Sequence, residues 1–174
     1  MSRAHDFIPT VMEAVETRNE SQKQVLFEKI QKHFGADLRG RKFGIWGLAF
    51  KPGTDDMREA SSIVLIKALV QAGASVSAYD PVALETAAKE LPAEWLTDGR
   101  VTLLEYQYDV LKGADAMVLV TEWKRFRQPD FDAMKDLMRA PIIFDGRNQY
   151  DPDMLGAQGF TYYAIGRSSR ASSN

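Results

Sequence analysis

Apolar positions follow two patterns along the chain, and the change comes at Gly40. Before it, Ile8, Val11, Met12, Val15, Leu26 and Ile30 lie near one stripe at helical spacing. That stripe predicts a long helix over residues 6–34. Asn19-Glu20-Ser21-Gln22 interrupts it with polar side chains, so the helix either packs on the rest of the chain or shows those residues to a partner. Gly35 and Gly40 then end it. After Gly40, short apolar runs alternate with amphipathic stretches. Strands are expected at 42–47, 75–79, 101–104, 116–121, 141–144 and 160–165. Helices are expected at 60–72, 82–91, 106–112, 130–138 and 151–157. A polar loop runs from Lys51 to Glu59.

The runs expected as strands are continuously apolar rather than alternating, Ala116-Met117-Val118-Leu119-Val120-Thr121 most clearly. Such runs belong to a parallel sheet covered on both faces. Strands alternating with helices then give a doubly wound, mainly parallel, Rossmann-like α/β fold with right-handed crossovers, preceded by the long helix.

Composition narrows the function classes. A chain of 174 residues suits one domain with an appendage. With 22 Lys and Arg against 24 Asp and Glu, the net charge is −2, which disfavours nucleic acid as a partner. No apolar run is long enough for a membrane span, and Met1–Thr10 lacks an apolar signal core. There is no cysteine, which removes disulfides, thiolate metal sites and a thiol nucleophile from these residues, and agrees with a cytoplasmic setting. The two histidines, His5 and His33, belong to no ligand cluster and read as surface residues of the first helix, so no metal is expected.

In a doubly wound fold ligands bind at the carboxyl ends of the strands. The turn after the first strand contains Gly44-Ile45-Trp46-Gly47 and then Leu48-Ala49-Phe50, not GxGxxG. Asp80, at the end of the second strand, follows Gly47 by 33 residues, whereas a dinucleotide fingerprint places its acid about 20 residues on. The spacing argues against a standard NAD site, and Asp80-Pro81 reads as a strand-ending turn. Two cations are better placed. Lys51 follows the first strand, and Arg147, in Phe144-Asp145-Gly146-Arg147-Asn148, follows the fifth. A point charge and a bidentate fork suit a diphosphate if the strand order brings them to one rim; otherwise each is a surface cation.

Asp55, Asp56, Arg58 and Glu59 crowd the expected start of the next helix. The acids suit the helix dipole, and Thr54 or Asp55 suits a cap. Arg58 does not suit that position, so its charge is expected to meet an anion or to pair with Asp55. Trp123 is expected to seal the end of the fourth strand. Asp55 and Asp56 are adjacent and point apart, which argues against a joint acid-base or Mg²⁺ site.

Residues 44–63 (GIWGLAFKPGTDDMREASSI), 78–81 (AYDP), 113–123 (GADAMVLVTEW) and 143–152 (IFDGRNQYDP) resemble the C-terminal domain of the UDP-glucose 6-dehydrogenases, within the UDP-glucose/GDP-mannose dehydrogenase family. The likeness runs from about residue 8 to residue 167. It implies an enzyme that oxidises the sugar C6 alcohol to a carboxylate in two NAD-dependent hydride transfers, converting UDP-glucose to UDP-glucuronate. It implies that Phe50, Lys51 and Arg147 contact the UDP-sugar and that Arg58 reaches NAD across an interdomain cleft. Residues 1–37 then match the end of a central helical segment that builds a homodimer, 38–167 the UDP-sugar-binding domain, and 168–174 a disordered tail. The family's GxGYVG block and its GSCFPKD-type nucleophile block are absent from these residues. The chain is therefore expected to be a part of the enzyme, with no catalytic residue of its own, inactive alone and with NAD bound mainly elsewhere. Other readings stay open: a stand-alone nucleotide-sugar-binding module, a dimerisation module, or a GDP-mannose or UDP-N-acetylmannosamine dehydrogenase domain.

Overall fold

A computed structural model describes residues 23–166. The expectations for residues 6–22 and 168–174 lie outside the described residues. Helix α1 occupies 23–34 and ends at Gly35, whose φ of +91° is a left-handed stop that glycine adopts at no steric cost. The remaining elements alternate as the apolar pattern requires: β1 (Lys42–Trp46), α2 (Ser61–Gln71), β2 (Ser75–Tyr79), α3 (Leu84–Glu90), α4 (Ala93–Thr97), β3 (Val101–Leu103), β4 (Ala116–Leu119), α5 (Phe131–Leu137), β5 (Ile142–Asp145), α6 (Pro152–Ala157) and β6 (Thr161–Ala164).

All six strands are parallel, in the order β3-β2-β1-β4-β5-β6. The chain winds outward from β1 in one direction and then, from β4, in the other. The order therefore reverses between β1 and β4, and a doubly wound sheet binds ligands at the carboxyl ends flanking such a reversal.

The continuous apolar runs follow from two cores. Phe43, Ile45, Val76, Ala78, Val118 and Phe144 face one core with Leu26 and Ile30 of α1 and Leu65, Ile66 and Leu69 of α2. Trp46, Tyr79, Met117, Leu119, Ile143 and Tyr162 face the other with Val110, Phe126, Met134 and Leu155. Successive strand residues alternate between the two faces, so both parities must be apolar. The described part of α1 packs on the same core as α2. His33 sits at its exposed end, edge-on to Phe34, Phe144 and Tyr163, with Nδ1 2.7 Å from the Tyr163 hydroxyl.

Three local expectations are corrected. Helix α2 begins at Ser61 with no acidic residue in its first turn and no side-chain cap, so Asp55, Asp56 and Arg58 lie in the preceding loop. Residues 82–91 form a shorter helix, and Pro92 starts α4, a helix the pattern did not indicate. Residues 106–112 contain a 3-10 turn at Asp109–Leu111 rather than an α-helix. No helix among the described residues is long and apolar enough to cross a membrane.

Candidate functional site

A cavity of about 600 Å³ opens at the carboxyl ends of β1, β4, β5 and β6. Its wall includes Lys23 and Leu26 of α1, Phe50 after β1, Glu59 and Ser61 before and at the start of α2, and Arg147 after β5. Arg147 is fixed from several directions. Its Nε donates to the Val120 carbonyl oxygen at 2.7 Å, and its Nη2 donates to the Phe50 carbonyl oxygen at 3.4 Å. Glu122 Oε2 lies 2.9 Å from the same Nε. That oxygen is buried yet accepts no hydrogen bond, because the Nε–H points to Val120. Glu122 thus supplies charge rather than a bond, and none of these contacts uses Nη1.

The loop carrying Arg147 is held by a buried carboxylate. Asp145 accepts from the backbone N–H groups of Arg147 (2.8 Å), Gln149 (2.7 Å) and Tyr150 (3.2 Å), and from the Tyr162 hydroxyl (2.7 Å). These four donors satisfy the buried carboxylate, so it needs no cation partner to offset its burial. Burial and the Asp145 charge push the Tyr150 phenol far above its ordinary range, so Tyr150 stays neutral and donates to the Phe126 carbonyl oxygen at 2.6 Å.

Phe50 is mounted in a similar way. Gly47 turns the chain at φ +90°, where a Cβ would stand 2.5 Å from the Thr121 Cβ. The next two residues have all four backbone polar groups bonded to buried side chains. Asp80 Oδ2 accepts from the Leu48 N–H at 2.7 Å and the Ala49 N–H at 3.1 Å. The Ser62 hydroxyl donates to the Leu48 carbonyl oxygen, and the Thr121 hydroxyl donates to that of Ala49 at 2.6 Å. Phe50 emerges from this mount half exposed.

The structure therefore brings Phe50 and Arg147 together on one wall. Lys51 is exposed beside Phe50 and is not part of the cavity lining. Arg58 lies apart, over a shallow depression lined by Thr54, Asp55, Asp56, Met57, Thr86 and Glu90. Its side chain is 86% exposed, and it pairs with Asp56 rather than Asp55: Nη2 to Oδ2 is 2.7 Å and Nε to Oδ1 is 3.0 Å. Asp55 instead accepts from the Thr86 hydroxyl at 3.3 Å. The physical reason is local. Asp56 Oδ1 also accepts the Arg58 backbone N–H at 3.0 Å, a two-residue turn that sets the guanidinium against the same carboxylate. The Arg58 side-chain hydrogen bond above all, with its backbone N–H and then the Arg58 and Lys51 charges, holds the Asp56 carboxyl at about 2.

Sequence reasoning treated Asp80 as a turn residue and Glu59 as part of a helix start, and gave Glu122 and Lys23 no role. Half of the turn reading holds, since Asp80 Oδ1 accepts from the Val82 and Ala83 N–H groups at 2.9 and 3.0 Å. The other oxygen was legible only as an acid at a strand end. Trp123 does close the end of β4, half-buried with Nε1 donating to Asp80 Oδ2 at 3.2 Å.

Six parallel strands in this order, with a cation-bearing cavity at their carboxyl edge, define a Rossmann-like ligand-binding domain. The model of the UDP-glucose/GDP-mannose dehydrogenase family, UDP binding domain, matches residues 44–152, and the chain belongs to that family. It is 50% identical over 157 residues to UDP-glucose 6-dehydrogenase of Pseudomonas aeruginosa, covering 90% of this chain and 34% of that protein. It is 39% identical over 163 residues to UDP-glucose 6-dehydrogenase of Rhizobium meliloti, covering 94% and 36%. Among solved structures, a UDP-glucose dehydrogenase from Pyrobaculum islandicum aligns with a TM-score of 0.64 at 32% identity over 78% of this chain and 28% of that one. An NDP-N-acetyl-D-galactosaminuronic acid dehydrogenase from Methanosarcina mazei aligns with a TM-score of 0.70 at 26% identity over 97% and 33%. The chain spans about a third of the length of these relatives.

Proposed function

We propose that these residues form the nucleotide-sugar-binding part of an NAD-dependent UDP-glucose 6-dehydrogenase, and that the cavity at the carboxyl edge receives the UDP moiety. The observation that carries this reading is Arg147, a guanidinium held rigidly on the cavity wall with Nη1 left for a ligand. A pre-ordered guanidinium binds phosphate oxygens with little further loss of freedom. The half-exposed Phe50 ring offers an apolar face beside it, and Lys51, next along the loop, adds a mobile point charge at the rim. The 50% and 39% identity to UDP-glucose 6-dehydrogenases supports glucose as the sugar.

The turn after β1 does not fit NAD. The backbone N–H groups of Leu48 and Ala49, which stand where a dinucleotide fold presents donors to the pyrophosphate, are already bonded to Asp80. On this reading NAD is held by the remainder of the enzyme, and Arg58, exposed on its own loop, reaches it. The chemistry of the parent enzyme balances as UDP-glucose, two NAD⁺ and water giving UDP-glucuronate, two NADH and three protons. This chain's share is to bind and orient the substrate. It has no cysteine to supply a thiol nucleophile. Dimerisation through the helix that ends at residue 34 is part of the same proposal.

Calorimetric titration of UDP, UDP-glucose and GDP into this chain and into Arg147→Ala tests the reading. Uridine diphosphate compounds should bind the parent chain, and Arg147→Ala should lose about 1.5–3 kcal/mol of that affinity, the range for a hydrogen bond to a charged group. Equal heats from both proteins would remove Arg147 from the site. GDP binding as tight as UDP would move the assignment to the guanosine branch of the family.

A further inference from the structure

We infer that Asp80 is a positioning residue for the nucleotide-sugar site, joining the two loops that hold Arg147; this rests on the reading of the cavity given above. Asp80 is fully buried, and its carboxylate accepts five N–H donors from three parts of the chain. Oδ1 takes Val82 and Ala83 and so orders the start of α3. Oδ2 takes Leu48 and Ala49, which lead directly into Phe50, and Trp123 Nε1, which adjoins Glu122. Those two destinations are the contacts of the Arg147 guanidinium: Phe50 O with Nη2, and Glu122 with Nε. Thr121, next to Glu122, ties the same loops together by donating to the Ala49 carbonyl oxygen. One oxygen atom therefore sets the spacing between the carbonyl on one side of the guanidinium and the carboxylate on the other. In dinucleotide-binding folds the acid ending the second strand faces a ribose; here the corresponding acid faces inward and organises a different ligand site.

The test is Asp80→Asn in the full 174-residue chain. Asparagine has one acceptor oxygen for donors that two now serve, and its amide would face other N–H groups. Two quantities are read: UDP affinity, and the solvent exchange of the Arg147 Nε–H by NMR without ligand. We expect UDP to bind about tenfold more weakly, the lower end of what losing an orienting outer partner costs at metal sites, and the Arg147 Nε–H to exchange faster. Asp115→Asn is the control for general loosening. Asp115 is a similarly buried acid at the amino ends of the strands, bonded to Arg41, Arg139 and the Lys42 N–H. It should lower the melting temperature without changing either quantity. Trp123→Phe keeps the carboxylate and removes one donor, so it should move both quantities the same way by less, and it carries the test if Asp80→Asn does not fold. Unchanged Arg147 exchange in the folded variants overturns the inference. Failure of the parent chain to bind UDP would strike the reading of the cavity instead, and the exchange measurement would still decide the role of Asp80.

Discussion

Arg147 and Phe50 lie 97 residues apart in the chain, yet the guanidinium of one donates to the carbonyl oxygen of the other at 3.4 Å. The contact spans β4, which separates β1 from β5 in the sheet. It forms because two buried carboxylates, Asp80 and Asp145, turn the backbone N–H groups of their loops inward and fix where each loop goes next. This part of the cavity wall is in this sense built from backbone, with the Arg147 side chain laid across it.

That construction makes the shape of the Arg147 side chain matter as well as its charge. Arg147→Lys keeps a positive charge but has no planar fork to reach both the Val120 and Phe50 carbonyl oxygens. Its ammonium is therefore less ordered. UDP should bind Arg147→Lys more weakly than the parent chain and more tightly than Arg147→Ala, as read by calorimetry. Affinity equal to the parent would show that charge alone suffices.

Gly47 cannot be replaced without moving the loop. A Cβ there would meet the Thr121 backbone nitrogen at 2.6 Å and carbonyl oxygen at 2.8 Å, and the backbone sits at φ +90°. The left-handed region alone costs a non-glycine residue roughly 1–2 kcal/mol, and the contacts are with backbone, which yields poorly. Gly47→Ala should destabilise the chain by at least about 2 kcal/mol in a denaturant titration. Gly53, at φ +85° with nothing near its Cβ position, should show no more than the conformational part on substitution by Ala.

Most of the fold was legible because β1 and β4, at the middle of the sheet, are apolar runs buried on both faces. The Rossmann-like class followed from such runs alternating with helices, although the edge strands β3 and β6 are only partly buried. The element ends were less legible. The loop 51–60 reads like a helix start, since Asp55 and Asp56 are residues a helix dipole would favour, yet Asp56 instead closes a local turn on Arg58. Arg147 was singled out by its position at a strand end, and Phe50 only by the family resemblance. Lys51 had the same position, but a strand-end residue can lie beside the cavity or away from it, and sequence does not specify which. Asp80 was read only as a turn residue and Glu122 was given no role, because the contacts that matter, Asp80 with Leu48 and Ala49 and Glu122 with Arg147, join parts of the chain far apart in sequence.

The Asp56–Arg58 pair has a pH signature. The folded-state pKa of Asp56 is depressed to about 2, first by the Arg58 side-chain hydrogen bond, against about 3.9 in an unfolded chain. A depressed carboxylate contributes stability above the unfolded value and loses it as pH falls through the folded one. The pair should therefore persist at pH 3 and break near pH 2. Carbon NMR of the Asp56 carboxyl group reads this directly. In Arg58→Ala the midpoint should rise toward the ordinary range; an unchanged midpoint would separate the two residues in solution.

Thr121→Val removes one hydroxyl from the core at nearly constant volume. The Ala49 carbonyl oxygen loses the donor that now lies at 2.6 Å, and an unsatisfied buried acceptor costs about 1–3 kcal/mol. Thr121→Ser retains the donor and gives up a methyl group. The valine variant should show the larger loss of UDP affinity, because the hydroxyl holds the residue that precedes Phe50. A larger loss in Thr121→Ser would mean that packing, not the hydrogen bond, sets the loop.

Glu122 sets how much of the Arg147 charge a ligand encounters. Its Oε2 lies 2.9 Å from Arg147 Nε but accepts no hydrogen bond, so replacing the acid with its amide removes charge while leaving the Val120 and Phe50 contacts in place. A diphosphate at Arg147 is repelled by the Glu122 carboxylate, and at an effective dielectric near 20 a charge several ångströms away amounts to roughly 1–3 kcal/mol before screening by salt. Glu122→Gln should therefore bind UDP several-fold more tightly, with the gain shrinking as ionic strength rises. Uridine, which has no phosphate, should bind both forms alike. Looser UDP binding in Glu122→Gln would show that the carboxylate matters more for orienting the guanidinium than for opposing the ligand.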